Sequence, residues 1–173
     1  MRNVLILFSC IIMIGCSTLH NARKSKMVFD EKQFIESCKI GRNHDLIKDY
    51  IKSSNQKLVE IKDTELNLNA VELAVFPNLI PCDKSNCIKS DIDIWKCLEI
   101  FIETRPEESE QICNTAIKGL IKHNSYLYVP RSFNYLVNLI GGQDKLYRIL
   151  EEDKDCKERW NKGWKSCFEI NKK

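Results

Sequence analysis

Between Ser90 and Lys122 the apolar side chains recur every three or four residues in two blocks. The first is Ile94, Cys97, Leu98, Phe101, Ile102; the second is Ile112, Cys113, Ala116, Ile117, Leu120, Ile121. That spacing lines one face of an α-helix. The stretch Thr104-Arg105-Pro106-Glu107-Glu108 divides the blocks: proline suits the first helical position, and two glutamates suit the positive end of a new helix. A helical hairpin turning near Arg105 follows, and its two apolar faces have to be buried. Cys97 and Cys113 lie equally far from the turn and on those faces. In side-by-side antiparallel helices they would stand at one height, so a Cys97–Cys113 disulfide is expected.

The same spacing extends along most of the chain. Glu31 to Ile40 places Phe34, Ile35 and Cys38 on one face, with Asp30 as N-cap, and Gly41-Arg42-Asn43 interrupts it. His44 to Ser53, Asn69 to Phe76, Phe133 to Ile140 and Gln143 to Glu152 also read as helices, the last two parted by Gly141-Gly142. Leu58 to Leu68 alternates apolar and polar residues, which predicts a short extended segment near 57–68. Trp160, Trp164 and Phe168 form an aromatic closing segment. With only 6 glycines and 4 prolines, the chain lacks the turns of a β-sandwich. The expected fold is all-α: stacked helical hairpins, α-solenoid-like or an irregular bundle, stabilised by disulfides.

Val4 to Gly15 is an apolar run preceded by Arg2. It is shorter than the roughly twenty residues a spanning helix requires and suits the core of a secretory signal. Its end, Met13-Ile14-Gly15-Cys16, resembles the bacterial lipobox, in which the cysteine is lipidated and becomes the first residue. The resemblance implies a signal peptide over 1–15, lipid (palmitate among it) on Cys16, and a polar tether over 16–29. A single helical domain would then occupy 30–173. Acyl chains at ~0.8 kcal/mol per buried CH₂ give durable anchoring. Ser17 after the cysteine resembles the outer-membrane sorting pattern, which implies a protein of the cell envelope facing the periplasm. Removing the signal leaves 158 of the 173 residues, enough for one domain with its own core.

Beyond Cys16 stand Cys38, Cys82, Cys87, Cys97, Cys113, Cys156 and Cys167. In an oxidising compartment disulfides are the natural reading of so many. Cys82 and Cys87 flank a polar turn and are expected to pair. Cys156 and Cys167 are expected to pair if the helix breaks at Asn161-Lys162-Gly163, because a straight helix would hold them ~16 Å apart. Cys38 is left over as a buried thiol. No histidine accompanies the close cysteines, so no metal or other cofactor is expected.

Two family resemblances follow. "QFIESCKIGRNHDLIKDYIKSS" with "NQKLVEIKDTELNLNAVELAV" resembles a degenerate ankyrin repeat, Asp45-Leu46-Ile47-Lys48 and Asn69-Ala70-Val71-Glu72-Leu73-Ala74 matching in character. An extra residue after Gly41, no glycine closing the second helix and no Thr-Pro pair depart from that family. "IWKCLEIF", residues 94 to 101, resembles a helix of the small periplasmic immunity proteins that neutralise type VI secretion toxins.

Catalytic signatures are lacking. There is no H-E-x-x-H or G-x-S-x-G, and the paired carboxylates Glu107-Glu108 and Glu151-Glu152-Asp153 sit at helix boundaries. The net charge of +3 is spread along the chain, which gives nucleic acid no basic stripe. No enzyme is expected. The expectation is a lipid-anchored protein that binds a protein partner, an immunity protein or inhibitor occluding a toxin or enzyme; the alternative is an envelope structural or assembly lipoprotein. Tyr126, Tyr128, Arg131 and Tyr135 have hot-spot composition and are the candidate contact residues.

Overall fold

The computed structural model describes residues 30–76 and 89–170, with side chains through residue 163. The expected signal segment, Cys16, the expected tether, and Cys82 with Cys87 lie outside the described residues, as does the side chain of Cys167. The fold is all-α: α1 Glu31–Ile40, α2 His44–Ser53, α3 Ala70–Val75, α4 Asp91–Thr104, α5 Ser109–Lys122, α6 Pro130–Leu139, α7 Gln143–Glu152 and α8 Lys154–Ile170. Single 3₁₀ turns, Pro106–Glu108 and Ser125–Leu127, follow α4 and α5.

Local chemistry sets the helix ends. Asp30 accepts from the Lys32 N–H at 3.0 Å and caps α1. Gly41 closes it in the left-handed region at φ 71, donating to the Ser37 carbonyl at 2.8 Å. Asn69 with Glu72, and Ser90 with Asp93, form reciprocal capping boxes at the starts of α3 and α4.

Packing arranges the helices in two rows. α1, α3 and α5 touch in sequence, as do α2, α4 and α6, and each hairpin partner packs across: α1 on α2, α3 on α4, α5 on α6. At the end of the stack α7 lies on α6 while α8 lies on α5. One continuous core runs between the rows, with Phe34, Ile51, Leu73, Phe101, Ile117 and Leu120 all fully buried.

Several expectations are corrected. Among the described residues there is no extended segment over 57–68, only an isolated bridge between Lys62 and Asn69. The chain is turned there by Asp63, whose carboxylate accepts from the Glu65 and Leu66 N–H groups at 3.0 and 2.6 Å. Leu58 and Ile61 are buried at a three-residue spacing that passed for alternation.

Cys97 and Cys113 are free, buried thiols rather than a bridge. α4 packs mainly on α2 and α6, and α5 on α3, α6 and α8, so the two helices do not run flank to flank. Equal distance from the turn then no longer brings the two thiols side by side. The break expected near Asn161 is also absent: α8 is continuous from Lys154 to Ile170, so Cys156 and Cys167 stand ~16 Å apart along one axis. Cys156 is a free, buried thiol. No disulfide is present among the described residues.

Gly163 serves close approach instead of a helix stop. A Cβ there would run into Oη of the buried Tyr126. Gly163→Ala is expected to force that ring aside and destabilise the fold by ~1–3 kcal/mol, as overpacking does. A urea midpoint unchanged from wild type would contradict the packing.

Candidate partner-binding surface

The surface is organised by α6, and the start of α6 is made by another helix. Pro130 occupies its first turn, and Val129 supplies no side-chain cap. Asp91 of α4 does so instead, accepting from the N–H groups of Arg131 and Ser132 at 2.8 and 2.9 Å and from the Ser132 hydroxyl at 2.6 Å. A carboxylate at a helix N-terminus also meets the positive end of the helix dipole. Asp91→Ala should therefore cost ~2 kcal/mol, at the upper end for a lost cap, and Asp91→Asn less. Equal urea midpoints for wild type and Asp91→Ala would refute this.

One flank of α6 is polar and aromatic. The Arg131 guanidinium stands 5.3 Å from the centroid of the Trp95 ring, a cation–π geometry. Tyr135 meets the same indole edge-on, 6.3 Å away at 87°. Tyr135 and Trp95 are half-buried and Arg131 is exposed.

The other flank is an apolar groove of about 340 Å³. Leu127, Pro130, Phe133 and Val137 line it from the α6 side, and Leu146, Tyr147 and Trp160 from α7 and α8; Asn134 and Gln143 are its amides. Its floor is an aromatic cluster, with ring centroids 5.0 Å apart for Tyr126–Trp160, 5.5 Å for Tyr126–Phe133 and 5.7 Å for Phe133–Trp160. Its rim is exposed: Leu127 is 43% and Tyr147 52% accessible, and neighbouring Tyr128 reaches 79%.

The residues expected to make contact are thus divided. Tyr126 belongs to the floor and is buried, Tyr128 is exposed outside the groove, and Arg131 and Tyr135 lie on the opposite flank. Sequence reasoning missed Trp95 and Tyr147. Each sits one residue off its helix's buried stripe (Ile94, Cys97 and Leu98; Leu146, Ile149 and Leu150), and an aromatic in that position is the signal that would have found it.

A second cleft, of about 560 Å³, lies between α5 and α7, with Glu110, Lys145, Arg148 and Glu152 among its lining and Ile140 and Ile149 beneath. Elsewhere the ionisable groups hold the fold together. Glu108 is buried and accepts from the Leu58 N–H at 3.0 Å. Arg105 donates to the carbonyls of Ile51 and Ser54 at the end of α2. His123 packs edge-on against Phe76 at 4.0 Å, and burial, with Arg159 nearby, holds its pKa below the usual imidazole value. Among the described residues no three His, Cys, Asp or Glu side chains gather as a metal site, and no helix is long and apolar enough to cross a membrane. The chain matches no known protein family, and neither characterised proteins nor solved structures show significant similarity to it.

Proposed function

We propose that this protein is a lipid-anchored, partner-binding module of the bacterial cell envelope, an immunity-type inhibitor that works by covering a toxin or enzyme. The observation that carries the reading is the α6–α7 groove, an apolar trough with Leu127 and Tyr147 exposed at its edge. Large, rigid aromatic side chains around an apolar depression are the composition of an interface hot spot. Stacked helical hairpins supply the broad, stiff surface such binding needs. The lipobox-like Cys16 supplies the address. A tether at the membrane raises the local concentration of inhibitor where an incoming effector acts.

The test is genetic and then biochemical. Deleting the gene should sensitise cells to siblings that deliver the partner toxin, and an exported copy should rescue them. Cys16→Ser should abolish palmitate labelling and leave unprocessed precursor. A Leu127→Ser/Tyr147→Ser copy should fold yet fail to rescue, since two hot-spot truncations of ~2 kcal/mol each weaken binding roughly a thousandfold. Deletion mutants that compete normally and leak periplasmic contents would favour the envelope structural lipoprotein instead.

A further inference from the structure

Four cysteines are free and buried among the described residues, and two of them share one neighbourhood. Cys113 faces the cleft between α5 and α7. Cys156 lies against α5, its Sγ 3.8 Å from the Lys118 carbonyl oxygen. Cys38 of α1 and Cys97 of α4 are different, because both sit around the ammonium of Lys89. Its Nζ donates to the Cys38 carbonyl at 3.1 Å, and its charge acts on both thiols.

Two contacts set the register of α1 against α4. At one end the rings of Phe34 and Phe101 have centroids 6.5 Å apart. At the other, a Cβ on Gly41 would stand 3.2 Å from Cβ of Asp93. Going forward along α1 therefore goes backward along α4, and the helices run antiparallel and converge toward Gly41. Cys38 lies one turn beyond Phe34, and Cys97 one turn before Phe101. The two cysteines stand at the same height, about one turn from the closest approach.

We propose that Cys38 and Cys97 are a disulfide-forming pair that staples α1 to α4. The co-reactant is a disulfide oxidant. One cysteine, as thiolate, attacks a sulfur of the oxidant, forming a mixed disulfide and releasing one oxidant thiol. The second thiolate attacks the protein sulfur of that mixed disulfide, closing the Cys38–Cys97 bond and releasing the second oxidant thiol. The protein gives up two electrons and two protons, and the oxidant is reduced to two thiols. Burial keeps both groups protonated once the core is closed, so the exchange belongs to folding, before α4 covers α1. The bridge would fasten the first hairpin to the second, and Cys97 would have the partner that Cys113 cannot be.

The pairing is independent of the lipoprotein reading, because the test supplies the oxidant. Reduced full-length protein is refolded in a glutathione redox buffer, denatured, alkylated with N-ethylmaleimide without reductant, and peptide-mapped. The expected result joins Cys38 to Cys97 and leaves Cys113 and Cys156 alkylated. Reductant should lower the Tm of this material by roughly 10 °C, given the long loop closed. A Cys38→Ala/Cys97→Ala variant should lose most of that reductant-dependent shift. Alkylation of both Cys38 and Cys97, a bridge from either to another cysteine, or a wild-type Tm indifferent to reductant overturns the proposal. Should the double variant fail to fold, the wild-type map and melt still decide.

Discussion

Raising the pH from 8 to 11 under reducing conditions will destabilise the folded protein steeply. Burial pushes the Cys97 thiol up to about 12 and those of Cys113 and Cys156 to about 11, and it holds Cys38 well above the ordinary 9.0. An unfolded chain releases these protons from pH 9 upward while the fold retains them. The stability the neutral thiols contribute is therefore complete below 9 and is lost as pH climbs toward their folded values. Each thiol costs about 1.4 kcal/mol per pH unit once the unfolded form is ionised.

Lys89 works in the opposite direction. Burial lowers its ammonium from 10.5 to about 8, so between those values the fold has released a proton that the unfolded chain still holds. That adds stability over the same window, but it is one group against four. Tyr50 and Tyr135, raised mainly by burial, steepen the loss above pH 10. Urea titrations at pH 7, 8, 9, 10 and 10.5 should show a stability flat to about 8.5 and falling by several kcal/mol beyond, roughly the sum of the uncompensated thiols. A Cys97→Ala/Cys113→Ala variant should show a shallower fall from its lower starting point. Constant stability from pH 8 to 10.5 would mean that these thiols are not held neutral by the fold.

Replacing Lys89 with alanine should cost ~4 kcal/mol at pH 7, with methionine about half as much; the two values separate what the ammonium does from what the stem does. Lys89 is only 3% exposed, and among the described residues no carboxylate forms an ion pair with it. Its Nζ donates to the carbonyls of Cys38, Leu73 and Ala74. These belong to the last turns of α1 and α3, where carbonyls have no intrahelical donor and carry the negative end of the dipole. One cation thus closes two helices. Holding it buried costs about 3 kcal/mol, the equivalent of its depressed pKa, and three buried carbonyls left without a donor would cost more. Methionine keeps the stem, which packs over Gly41, and forfeits the three hydrogen bonds while relieving the buried charge. Alanine forfeits the packing as well. A Lys89→Met protein more stable than wild type at pH 7 would show that the desolvation outweighs the caps.

The sequence determined what short-range chemistry decides. α1, α2 and α7 begin and end where their spacing and punctuation predict, because Asp30, Gly41 and Gly141-Gly142 act within a turn or two of themselves. The all-α class follows from the same periodicity, as does the burial of Cys38 on the Phe34 face. The tertiary structure decided everything that depends on a partner distant along the chain. α6 starts three residues before its apolar pattern predicts because its cap, Asp91, lies forty residues upstream. Leu58 and Ile61 are buried around a turn that closes on the Lys57 carbonyl, with Glu108 reaching back to the Leu58 N–H. Cys97 lies near Cys38 and Lys89 instead of Cys113, because α4 packs more on α2 and α6 than on α5. The groove exists only where α6, α7 and α8 meet. Periodicity tells a helix which face to bury, since that is set by the turn of the backbone. It cannot tell the helix against what, because that choice rests on the fit of side chains brought together only after the rows have stacked.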